Sequence, residues 1–134
     1  MQNTQAGSTA RITLIILAVI GIGLAISAAL LPKGFGNDMA QIGQGSNIAL
    51  LAHNKESVQS LTLMDYLSEI RSDYLGNVVF LVADMSDPKG KAFVDKEQVK
   101  SGDLLLFSPN GTRLRVIENI KDVETLRMAL NNTF

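Results

Sequence analysis

Residues 47–74 read NIALLAHNKESVQSLTLMDYLSEIRSDY. The stretch begins with an apolar run, Ile48-Ala49-Leu50-Leu51-Ala52, and turns polar at His53-Asn54-Lys55-Glu56-Ser57. Beyond the bend, Leu63, Leu67, Ile70 and Tyr74 recur at intervals of four, three and four. That spacing marks one face of a helix. The stretch therefore predicts a strand, an exposed loop and a helix on which the rest of the chain can pack. In open α/β sheets, chemistry collects in such a loop, at the carboxyl end of a central strand. This one holds no cysteine, no acid–base pair and no glycine-rich cradle. The sequence points to an architecture and not to a reaction.

Downstream, Val78-Val79-Phe80-Leu81-Val82-Ala83 is an unbroken β-branched and aromatic run. Such a run predicts a strand buried on both faces. Strand, helix and strand over about thirty residues make a βαβ unit. Asp84-Met85-Ser86-Asp87-Pro88 then offers Ser86 or Asp87 as an N-cap, with Pro88 at the first helical position. The helix is expected to reach about Gln98, with Ala92, Phe93 and Val99 inward. Lys100-Ser101-Gly102-Asp103 is a turn, and Leu104-Leu105-Leu106-Phe107 is a third strand. Ser108-Pro109-Asn110-Gly111 signals a hairpin, with residues 112–117 returning antiparallel. Asp122 opens a last helix with Val123, Leu126 and Leu130 on one face. The order is β-α-β-α-β-β-α.

Upstream, residues 1–11 are a polar tail and residues 12–32 carry no charge. As a helix, 21 residues at ~1.5 Å each would cover roughly 31 Å, close to a bilayer's ~30 Å hydrocarbon core. The uninterrupted length favours a single transmembrane anchor. The competing reading is a secretory signal peptide cleaved near Ala25-Ile26-Ser27-Ala28. Gly21, Ala25 and Ala29 lie four apart, the spacing at which small residues let membrane helices approach closely. A short head before the span favours an amino terminus inside and the remainder outside the cytoplasm. Residues 33–46 include four glycines and are expected to be a flexible linker. Residues 47–134 are the folded domain.

Composition narrows the functions available. The chain has 134 residues and a formal net charge of −1, so nothing favours binding to nucleic acid. The absence of cysteine excludes disulfides, thiol catalysis and thiolate metal sites. A single histidine, His53, cannot form an imidazole cluster for zinc. Asp84, Asp87 and Asp95 do not match the spacing of a calcium loop, so no metal and no cofactor is expected. Lys89, Lys91, Lys96 and Lys100 are balanced by nearby carboxylates and read as a solvated helix face. His53 and Ser57 could be drawn as base and nucleophile, but no third group is placed to orient them. Serine before a helix is more simply an N-cap.

The order of elements, the loop entering the first helix, and the strand 78–83 followed by Asp84 resemble the thioredoxin-like family over roughly residues 47–133. The resemblance implies an α/β domain with a mixed sheet, preceded here by the single transmembrane helix. It also implies where chemistry would sit. The family's Cys-x-x-Cys would fall on Ser57-Val58-Gln59-Ser60, and its cis-proline at or near Gly102. Both cysteines are serine, and the proline is absent. A hydroxyl cannot cycle through a disulfide, so the resemblance is to a redox-inactive member, not an enzyme, with His53, Ser57, Ser60 and Gly102 as a vestigial active-site loop.

Two roles follow from the resemblance. The first is an accessory or structural subunit of a larger membrane protein complex, anchored in a bacterial inner membrane. Its span would contact partner helices and the lipid bilayer, and its domain would be periplasmic. The second is a noncatalytic holdase or helper in a periplasmic thiol-disulfide or cytochrome-maturation pathway. The sequence does not name the complex.

Overall fold

The computed structural model describes residues 10–20 and 34–134. The central strand β1, Asn47–His53, buries five consecutive side chains completely. It needs no polar alternation because both sheet faces are covered. Ala49 and Leu51 face one core and Ile48, Leu50 and Ala52 the other. Strand β2, Val78–Asp84, lies parallel to β1, pairing Asn47 with Val78 and His53 with Asp84. Strand β3, Leu104–Phe107, runs antiparallel on β1's other side, and β4, Arg113–Ile117, runs antiparallel to β3. The sheet order is β2-β1-β3-β4. It is mixed, and its sequence-order crossover is the β1–β2 connection through a helix.

That connection is α2, Val58–Ile70, followed by a 3-10 turn, Arg71–Tyr74. Leu63, Leu67 and Ile70 are buried as their spacing predicts. They share one core with Leu126 and Leu130 of α4, Val123–Asn131. Helix α3, Pro88–Glu97, covers the other face. Pro88 stands at its first turn after Asp87, and Gln98 ends it in the left-handed region. The inward face of α3 differs from the sequence expectation. Gly90 and Val94 are buried and Phe93 half-buried, whereas Ala92 is exposed. The cause is Gly90: a Cβ there would lie 2.0 Å from the Asp84 carbonyl oxygen. The helix can rest its backbone on the end of β2 only with glycine at the contact, and that contact fixes its rotation.

Residues 35–46, expected as linker, lie against the domain instead. The Phe35 ring packs edge-on against Phe80 at 6.4 Å, and the Arg71 guanidinium sits 4.6 Å above it. Gly36 makes a one-residue parallel bridge with Leu81, its carbonyl accepting from Val82 N–H at 2.8 Å. A 3-10 turn, Met39–Gln41, follows, and Met39 and Ile42 pack on the α3-side core. Gly45 N–H donates to the Pro109 carbonyl at 3.0 Å. The glycine content suggested a solvated tether, but Phe35, Met39 and Ile42 supply apolar anchors that composition averages away.

The chain divides into two compact units, 1–34 and 35–134. In the first, residues 10–20 are helical (α1), and apolar side chains from Ile12 to Ile20 are more than half exposed. Among the described residues no helix is long and apolar enough to cross a membrane. The remainder of the expected span, with Gly21, Ala25 and Ala29, lies outside the described residues.

Candidate functional site

The carboxyl ends of β1 and β2, the start of α2 and the turn before β3 converge at one pole of the sheet. Strand β1 ends at His53, and the chain bends because Asn54 accepts twice. Its carbonyl takes the Ser57 N–H at 2.9 Å and its Oδ1 takes the Glu56 N–H at 3.0 Å. Ser57 is the N-cap of α2, its hydroxyl oxygen accepting from Ser60 N–H at 3.3 Å. This meets one of the amides that a helix start leaves without a partner.

Ser60 is wholly buried. Its Oγ accepts from Asn54 N–H at 3.0 Å and lies 2.6 Å from His53 Nδ1. The arrangement that satisfies both side chains has the Ser60 hydroxyl donating to an unprotonated Nδ1. His53 therefore pairs with Ser60 and not with Ser57. Neither serine is set up as a nucleophile, since one hydroxyl is sealed from solvent and the other caps a helix. Across from His53 in the ladder, Asp84 accepts from Ser86. That hydrogen bond, with His53 and Lys55 nearby, holds its carboxyl below the usual range.

Gly102 completes the cluster. Its φ is +89°, a conformation that favours glycine, and its N–H donates to the Ala52 carbonyl at 2.9 Å. A Cβ at Gly102 would stand 2.8 Å from Gln59 Cγ, so the Gln59 side chain lies directly over it. The structure thus brings His53, Ser57, Ser60 and Gly102 together. Among the described residues every peptide bond is trans.

Sequence reasoning missed three participants. Asn54 shapes the bend, Gln59 covers Gly102, and Asp103 is 4% exposed. Asp103 sits just inside β3, where its carbonyl accepts from Ala52 N–H at 3.0 Å and its carboxylate from Lys100 N–H at 2.8 Å. Burial, and more weakly Glu118, push its carboxyl up from the ordinary value, against the Lys100 hydrogen bond. Its adjacency to four consecutive leucine and phenylalanine residues was the one available signal. Beside the cluster, Gln59, Asn119, Ile120 and Lys121 line a shallow depression, with Val58 77% and Leu61 45% exposed at the start of α2. Among the described residues, no three histidine, aspartate or glutamate side chains converge to hold a metal ion.

No protein-family model and no curated relative matches the chain. Several solved structures are similar in fold. The germline-specific thioredoxin Deadhead of Drosophila melanogaster matches with a TM-score of 0.62 and 13% identity, over 77% of this chain and 100% of that one. Thioredoxin O2 of Arabidopsis thaliana gives 0.58 and 13%, over 69% and 83%. An uncharacterised thioredoxin-like protein from Clostridium perfringens gives 0.59 and 10%, over 72% and 78%. At such low identity the likeness concerns fold alone. The domain has a thioredoxin-like α/β fold with a mixed four-stranded sheet, in a chain without cysteine.

Proposed function

We propose that the protein is a membrane-anchored, redox-inactive accessory subunit of a larger membrane protein complex. The observation that carries the non-enzymatic part is the fate of the two loop serines. Ser57 caps α2, and buried Ser60 ties His53 to Asn54. Where thiol chemistry would reside, the hydroxyls hold the loop together. The anchor rests on the uncharged run 12–32, bounded by Arg11 and Lys33. The span contacts partner helices through Gly21, Ala25 and Ala29, and the domain stands on the periplasmic side of a bacterial inner membrane. The test is extraction of the native membrane in mild detergent, followed by mass spectrometry of what co-purifies. Stoichiometric recovery in a large assembly, with residues 1–32 intact, is expected. Recovery alone, or as a processed soluble species, refutes the reading.

A second reading is favoured by the exposed Val58 and Leu61 beside the depression at Gln59 and Ile120. An apolar rim next to a polar hollow suits transient capture of an extended client segment. In that reading the domain is a noncatalytic helper in a thiol-disulfide or cytochrome-maturation pathway. Its marker is a client crosslinked at position 58 in substoichiometric amount, with no stable assembly.

A further inference from the structure

We infer that the domain rests its amino-terminal pole on the lipid bilayer and holds the His53–Ser60–Gly102 pole outward. The inference depends on the anchor reading above, and its first premise is chain length. Only Lys33 and Gly34 separate the end of the uncharged run, at Pro32, from Phe35. Three residue steps of extended chain cover at most ~11 Å. A bilayer's polar layer is itself roughly 5 to 8 Å deep on each side. Phe35 is therefore held at or just beyond the headgroups.

The second premise is where Phe35 is fixed on the domain. Its ring is held by Phe80 and Arg71, and Gly36 bridges to Leu81 in the parallel sense. Traced backward, the chain leaves Phe35 alongside the amino-terminal end of β2, next to the turn Leu75-Gly76-Asn77. The vestigial loop lies at the other end of the same strands. From Val78 to Asp84 is six strand steps, about 20 Å. An anchor pulled in at one pole thus leaves the other one strand length further out.

The third premise is the chemistry of the near pole. Leu75 is 76% exposed in a turn, with no apolar partner that would explain its position there. A shallow hollow beside it is lined by Gly45, Ser46, Asn47, Gly76, Asn77 and Pro109, none of them charged. The carboxylate of Asp73, close to Leu75, is paired with Arg127 at 2.7 Å. Lys33 adds a cation at phosphate depth. A neutral polar surface bearing one projecting leucine suits the headgroup layer. The far pole, with Lys55, Glu56, Asp84, Glu118 and Lys121, suits water.

The chain has no native cysteine, so single-cysteine labelling has a clean background. Full-length Leu75→Cys and, separately, Asn77→Cys would carry an environment-sensitive fluorophore, with Lys55→Cys and Glu56→Cys as far-pole reporters. Each is reconstituted in phosphatidylcholine vesicles containing a headgroup spin-labelled phosphatidylcholine. Loss of fluorescence at 75 and 77, with none at 55 and 56, is expected. Asn77→Cys keeps the test independent of any loss of docking caused by removing Leu75. No quenching at 75 and 77 in a chain that resists alkaline carbonate overturns the inference while leaving the anchor standing, as does quenching at 55 and 56. Release of the chain by carbonate overturns the anchor, and the inference with it.

Discussion

Replacing Ser60 by alanine tests whether the loop serines are structural. The change removes one oxygen from a wholly buried side chain and leaves only a small void. Two groups lose their partner. Asn54 N–H, bonded at 3.0 Å, has no other acceptor in the loop, and its bond is partly buried. His53 Nδ1, at 2.6 Å, belongs to a half-buried ring that can reach water. A buried donor left unmet costs ~1 to 3 kcal/mol, whereas a group that regains water loses only a net hydrogen bond of about 1 kcal/mol or less. The expected loss is about 2 kcal/mol, a fall in melting temperature on the order of 10 °C for a domain of this size. The full-length chain in detergent can be followed by near-ultraviolet circular dichroism. Its two tyrosines, Tyr66 and Tyr74, both lie in the domain and it has no tryptophan, so the signal excludes α1. Ser57→Ala, losing a longer and more exposed cap bond, is expected to lose about 1 kcal/mol. Ser60→Cys should fall near Ser60→Ala, because sulfur is a weak acceptor for the Asn54 amide. A Ser60→Ala chain within ~0.5 kcal/mol of the parent, the range of neutral surface changes, would show that these bonds do not hold the loop.

Three further outcomes are expected. Gly90→Ala places a Cβ 2.0 Å from the Asp84 carbonyl oxygen, and because the obstacle is backbone the loss should reach or exceed the ~1 to 3 kcal/mol usual for overpacking; a chain melting with the parent would refute the contact. Gly102→Pro, which restores the family's residue, should destabilise rather than repair, since proline cannot adopt a φ of +89° or donate to the Ala52 carbonyl; unchanged urea midpoints would contradict this. The raised Asp103 carboxyl means that the folded state holds its proton longer than the unfolded state, so stability from this group is intact below the ordinary value of 3.8 and is lost as pH rises from there through the raised value. Asp103→Asn should flatten that part of the urea stability-versus-pH curve, and an unaltered slope would rule the group out.

The fold was legible because its elements are locally consistent. The run 48–52 is apolar without alternation since it lies between two helical layers, and the spacing of Leu63, Leu67 and Ile70 gave α2 its buried face. The cap residues Ser57 and Asp122 carried their own geometry. What failed depended on contacts distant in sequence. Ala92 was expected inward because periodicity says which residues share a face and not which face meets the sheet. That choice was made by Gly90 against Asp84. Residues 35–46 look like a tether because their docking depends on Phe80, Leu81 and Pro109, 45 or more residues away for the first contacts and 64 for the last. At the site, the vestigial positions could be placed by resemblance. The His53–Ser60 pairing could not, because seven intervening residues can arrange either serine toward the ring.

The site also explains how the fold tolerates the loss of thiol chemistry. A helix start lowers the pKa of a cysteine placed there, because its unpartnered amides and dipole favour a thiolate. Those amides must still be met when no anion is present. Here Ser57 Oγ takes the Ser60 amide. Ser60 Oγ, one turn inside, takes the amide of Asn54 from the preceding bend and holds His53. The apparatus that would activate a nucleophile has become a cap and a brace. Gly102 makes the same exchange on the facing turn, donating to Ala52 where a proline would have no N–H to donate. Its missing Cβ admits Gln59, which covers the backbone that an extended ligand would approach. Restoring one cysteine would therefore not restore function, because each replacement is bonded to another. Recognition at this pole is left to the outer surface of α2, where Val58 and Leu61 are exposed. A partner there would read shape and apolar area, not a reactive group.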